Sequence, residues 1–100
     1  MIIAEISVVP VGTNSTSLSE YIAAAVSKIK EKNIKYKVSS MGTQVEVKDL
    51  EELFEVVKAA HEAVINKGAD RVYTTVTIDD RRDVDKSLEE RVDAVKEKLK

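Results

Sequence analysis

The hydrophobic period of this chain switches from two residues to about 3.6 and back, twice over, and that alternation limits its possible folds more than any other feature. Ile2 to Val11 sets Ala4, Ile6 and Val8 against Glu5 and Ser7, the pattern of a strand with one buried face, and Pro10 and Gly12 end it. Thr13-Asn14-Ser15-Thr16 is a polar loop, and Ser17 with Glu20 three residues on predicts a capping box that opens a helix. Leu18, Ile22, Ala25, Val26 and Ile29 then share one helical face as far as about Asn33. Ile34, Tyr36 and Val38 at spacing two, then Val45 and Val47 among Gln44, Glu46 and Lys48, predict a hairpin turning around Met41-Gly42-Thr43. Asp49 with Glu52 starts a second helix. Its apolar stripe is Leu50, Phe54, Val57, His61 and Val64, and Asn66-Lys67-Gly68 stops it. Arg71 to Asp79 returns to period two, and Val84, Leu88, Val92, Val95 and Leu99 predict a third amphipathic helix.

The order is therefore βαββαβ with an added C-terminal helix. Right-handed crossovers joined by a hairpin place the first two helices on one face of a single sheet, which is the ferredoxin-like α+β sandwich. One hundred residues is one domain's worth of chain, so residues 1–100 are expected to form a single domain. The other sheet face would carry Ile3, Glu5, Ser7, Val9, Gln44, Glu46, Tyr73, Thr75 and Thr77. That mixture is less charged than a bare solvent face. A partner sheet, or the third helix of another copy, is expected to cover part of it, making the protein a homo-oligomer, a dimer or a tetramer.

Composition removes whole classes of function. Sixteen basic against eighteen acidic residues give a net charge of -2, so no overall basic field draws nucleic acid or an acidic membrane. No apolar run approaches the roughly 20 residues of a membrane span. The absence of cysteine excludes disulfides, thiolate metal sites and cysteine nucleophiles, and is compatible with a reducing cytosol. Met1-Ile2-Ile3-Ala4-Glu5 has no basic leader and reads as a strand, not as a signal peptide. The sequence contains no HExxH, GxSxG, GxGxxG or P-loop pattern. RNA-recognition domains share the element order, but their sheets need exposed aromatics on the two central strands, and strands one and three here contain none.

What chemistry the chain does carry is modest. Glu5 and Glu46 fall on neighbouring strands and point to the open face, where two carboxylates can hold a cationic group or act as acid and base. The plainer alternative is a pair of solvated residues salt-bridged to Lys37 or Lys48. Ser7, Thr43, Thr75 and Thr77 add hydroxyls that donate and accept, though threonine is also simply a good strand former. His61, the only histidine, lies in register with the apolar stripe of the second helix and is expected to pack against the sheet with one nitrogen hydrogen-bonded. One histidine without cysteine argues against a transition-metal site. Asp79-Asp80-Arg81-Arg82-Asp83 is read as self-compensating ion pairs.

Several segments in order resemble one family. Ala4-Glu5-Ile6-Ser7-Val8-Val9-Pro10-Val11-Gly12, Ser17-Leu18-Ser19-Glu20-Tyr21-Ile22, Met41-Gly42-Thr43 with Glu46, Ala59-Ala60-His61-Glu62, and Asp70-Arg71-Val72 through Ile78-Asp79-Asp80-Arg81-Arg82-Asp83 are similar to the small thiamine-binding family of bacteria and archaea, relatives of the two-domain YkoF-like proteins. The resemblance spans essentially the whole chain. It implies a ferredoxin-like protomer, assembled as dimers and usually tetramers, that binds thiamine or its hydroxymethylpyrimidine part in the cytosol without transforming it and without a cofactor. Members commonly have glycine directly after the motif glutamate, whereas Val47 follows Glu46 here. Placed on family-matching positions, side-chain chemistry makes Glu46 and Glu5 candidates for the pyrimidine amine or the thiazolium charge. Thr43, Ser7, Thr16 and Ser17 become candidate hydroxyl partners, and Tyr36 or Tyr73 the stacking surface. Two alternatives stand beside this reading: a structural or regulatory oligomer with no small-molecule ligand, and a small ferredoxin-like enzyme using Glu5 and Glu46.

Overall fold

The computed structural model describes residues 1–100. Its elements are β1 (Ile2–Val11), α1 (Ser19–Glu31), β2 (Lys35–Ser39), β3 (Gly42–Val47), α2 (Leu50–Asn66), β4 (Arg71–Asp80) and α3 (Leu88–Lys98). The four strands form one antiparallel sheet in the order β2-β3-β1-β4, the ferredoxin-like arrangement expected from the pattern. Strict alternation decides the faces. Ile2, Ala4, Ile6 and Val8 of β1 and Val45 and Val47 of β3 are buried under α1 and α2, where they meet Ala25, Ile29, Leu53, Val56, Ala60 and Val64. No helix is long and apolar enough to cross a membrane.

Three local expectations change. Ser17 does not cap α1: the helix begins at Ser19, Leu18 is its N-cap, and no side chain caps it. The Ser15 hydroxyl instead accepts from the Ser17 N–H at 3.1 Å and reaches the Ser17 carbonyl at 3.4 Å, which holds Ser17 in the loop. The core-facing stripe of α2 is Leu53, Val56, Ala60 and Val64, whereas Phe54 is 57 % exposed and Leu50 38 % exposed. The third helix starts later than Val84. Ser87 caps it, accepting from Glu90 N at 3.2 Å while the Glu90 carboxylate accepts from Ser87 N at 3.2 Å. The cap expected at Asp49 is present, with its carboxylate accepting from Glu52 N at 2.8 Å.

The chain's own α3 lies across part of the open sheet face. Leu88 is its one buried residue, and Val92, Val95 and Leu99 stay exposed. Polar links hold it down: Leu88 N donates to Glu46 Oε1 at 3.0 Å, Lys35 bonds Glu89 at 2.9 Å, and Arg91 pairs with Asp79. The Lys35 ammonium holds the Glu89 carboxyl below the usual carboxylate range, so this link contributes at neutral pH and is lost as pH falls through that lowered value.

Candidate functional site

The residues singled out from sequence separate into three places. Glu5, Ser7, Glu46 and Tyr73 carry their side chains on the open face. Glu5 stands opposite Gln44, two pairs along from the Ile3–Glu46 pair, and accepts from the Gln44 amide at 3.5 Å. Glu5 also lies over Gly42, where a Cβ would come within 3.1 Å of Glu5 Cγ and 3.0 Å of the Ile6 carbonyl oxygen. A side chain there would have to press these atoms aside by a few tenths of an ångström. Glu46 is already engaged within the chain: only 10 % of its side chain is exposed, one oxygen takes the Leu88 N–H, and Lys35 lies 4.0 Å from the other. Tyr73, on the far strand opposite Val9, is 65 % exposed.

Tyr36 is on the helix side of β2, half-buried against the core, so it offers no open-face stacking surface. Thr16 and Ser17 are exposed in the loop before α1. Thr43 points to the helix side and is the chain's only buried polar residue, 5 % exposed. His61 meets β4 as its register implied, with Nδ1 2.6 Å from the Thr74 hydroxyl. In the charged knot, Arg81 pairs with Asp83 and Arg82 with Asp80, each arginine lowering the pKa of its carboxylate.

Thr43 belongs to a cleft of about 270 Å³ that arises from unequal strand lengths. β3 pairs with β1 only as far as Ile6–Thr43, while β1 continues to Val11 against β4 alone. From Ser7 onward one edge of β1 therefore has no neighbouring strand, and its main-chain donors and acceptors on that side are left to other partners. Leu18 at the N-cap and Ile22, Ala25 and Val26 of α1 roof this edge, and Val38 to Thr43 at the hairpin end close its side. The lining contains no charged residue. Its polar residues are Ser7, Ser39, Ser40 and Thr43; of the three on strands, only Thr43 turns its hydroxyl to the helix side, and the free strand edge adds main-chain groups. An apolar slot with a few fixed donors and acceptors suits a small, flat, neutral heteroaromatic ring. Of the residues expected from sequence, only Thr43 and Ser7 line it. Ile22, Ala25, Val26 and Met41 were not foreseen, although a ten-residue strand beside a six-residue one was the available signal.

Fold and cleft together define a small ferredoxin-like domain with a ring-sized slot under its first helix. Residues 4–96 match the family model described as thiamine-binding protein, and the chain belongs to that family. It is 60% identical to a UPF0045 protein of Methanothermobacter thermautotrophicus, over 99% of this chain and 100% of that one. It is 41% identical to the UPF0045 protein YqgV of Bacillus subtilis, over 99% and 98%. The crystal structure of the hypothetical protein MJ1052 of Methanocaldococcus jannaschii superposes with a TM-score of 0.86 at 34% identity, covering 96% of each chain. That of a proposed thiamine biosynthesis/salvage protein of Thermotoga maritima superposes at 0.76 and 29% identity, covering 94% of this chain and 97% of the other.

Proposed function

We propose that this protein binds thiamine, or its hydroxymethylpyrimidine part, without transforming it, and that the pyrimidine ring occupies the cleft under α1. The observation that carries this reading is the uncharged slot lined by a buried threonine and by the edge of β1 that no strand pairs. An aminopyrimidine needs an acceptor for its amine beside donors for its ring nitrogens, and a strand edge offers alternating carbonyls and N–H groups at that scale. The cleft lining contains no carboxylate, imidazole or amine, which favours a binder over an acid-base enzyme. A thiazolium cation would find no counter-charge inside, so it is left in water at the mouth, near Val38 and Met41, both exposed. Calorimetric titration is expected to give one saturable site per chain for thiamine and for hydroxymethylpyrimidine. Absence of binding heat and of any melting shift at millimolar concentrations of both would leave the ligand-free structural role as the better account.

The same reading has several copies working together. Beyond α3, the open face leaves Tyr73 uncovered, and α3 itself exposes Val92, Val95 and Leu99 in one stripe. A chain of this size gains stability by covering such surface. Light scattering is expected to give a multiple of the 11.1 kDa chain mass at micromolar concentrations; the mass of a single chain throughout that range would refute assembly.

A further inference from the structure

Which peptide groups β1 turns toward the cleft follows from the sheet itself. In an antiparallel strand the N–H and C=O of one residue point to the same side, and successive residues alternate. The Ile6 carbonyl oxygen lies toward β3, 3.0 Å from where a Cβ on Gly42 would stand. The even-numbered residues of β1 therefore address β3, and the odd-numbered ones address β4. Pairing with β3 stops at Ile6–Thr43, so Val8, the next even residue, turns both its N–H and its C=O to an edge where no strand meets them. Pro10 agrees with this direction. A proline inside a ten-residue strand is tolerated where its nitrogen, which has no hydrogen to donate, faces a side without a partner.

Val8 lines the cleft and is only 8 % exposed, so its two peptide groups are sheltered from water and unpaired by β3. Sheltered peptide groups in that state carry the cost of their lost hydration until something bonds them. We infer that the Val8 peptide groups read the ring edge on which an amine stands beside a ring nitrogen, and that the cleft therefore takes free aminopyrimidine bases as a class, cytosine as well as hydroxymethylpyrimidine. The Val8 N–H donates to the ring nitrogen and the Val8 C=O accepts from the amine, two hydrogen bonds in the plane of one flat ring. Both bases carry that edge and differ only in the rest of the ring. The apolar roof of Ile22, Ala25 and Val26 meets the ring by shape and apolar contact, without selecting among polar substituents.

This inference rests on the reading that the cleft binds the pyrimidine, and its test separates the two. Calorimetric titration is expected to place cytosine within about tenfold of hydroxymethylpyrimidine in affinity, and replacing the amine of hydroxymethylpyrimidine by methyl is expected to weaken binding at least about tenfold, because the Val8 C=O is then left unpaired. In isotopically labelled protein, saturation with either base is expected to slow solvent exchange of the Val8 amide at least about tenfold and to shift the Val8 carbonyl resonance. The Ile6 amide, already in the ladder with β3, should stay as it was. A variant that removed a side chain would not report on these main-chain groups, whereas their own resonances do. Hydroxymethylpyrimidine binding that leaves the Val8 amide and carbonyl unchanged, or that is not matched by any cytosine binding at millimolar concentration, overturns this inference and leaves the pyrimidine site standing. Absence of binding by both bases overturns both.

Discussion

Leu53→Ala is expected to lower the unfolding free energy by about 3 to 5 kcal/mol, and Phe54→Ala, one residue along, by less than about 1 kcal/mol in dilute solution. The difference follows from where each side chain points. Leu53 is fully buried between α2 and the sheet, so truncation removes its transfer energy and leaves a cavity that close-packed neighbours fill only in part. Phe54 is turned by about 100° from it and is more than half exposed, so truncation removes little that is sheltered from water. Urea unfolding monitored by circular dichroism checks both. For a domain of this size each kcal/mol moves the melting temperature by about 4 to 8 °C, so Leu53→Ala should melt well over 10 °C below the wild type. A Phe54→Ala loss that grows with protein concentration belongs to assembly, not to the core of the single chain. Equal and large losses for both variants in dilute solution would show that the sequence-derived stripe faces the core after all.

That pair of residues also shows what the sequence could and could not convey about the fold. α2 carries more apolar residues than one face can bury, and two stripes fit a 3.6-residue period equally well. The reading that follows the largest side chains selects Leu50 and Phe54, both exposed, along with Val57, His61 and Val64, of which Val57 packs against the core and Val64 lies within it. The structure uses Leu53, Val56, Ala60 and Val64, because small alanines let α2 sit close to the sheet while the bulkier flank overhangs the β4 edge. Strands gave less trouble. A period of two leaves no such choice, and every residue assigned to the open face from Ile3 to Thr77 has the parity that the pairing requires. Helix starts depended on which hydroxyl won. Ser17 is held by Ser15, and the apolar Val84 suggested an early start that Ser87 and Glu90 override. The cleft was the least legible feature, since it comes from a difference in strand length between β1 and β3 and from main-chain groups that have no signature in side-chain pattern.

The site itself is decided by two substitutions on one strand whose side chains point to opposite faces. Thr43→Val keeps nearly the same shape at a buried position and removes only the hydroxyl, so the unliganded fold should change by less than about 1 kcal/mol. If that hydroxyl meets the pyrimidine, affinity for hydroxymethylpyrimidine should fall about tenfold, equivalent to about 1.4 kcal/mol, the scale of one neutral hydrogen bond lost from a sheltered site. Glu46→Gln should leave that affinity within about twofold. Glutamine retains a carbonyl for the Leu88 N–H but loses the charge facing Lys35, so its effect should fall on α3. Faster amide exchange over Leu88 to Arg91, with ligand affinity unchanged, is the expected signature. The reverse outcome in a titration at neutral pH, a tenfold or greater loss for Glu46→Gln and none for Thr43→Val, would move the ligand to the open face. There the pyrimidine amine would compete with Lys35 for the second Glu46 oxygen, and binding would be coupled to the links that hold the third helix.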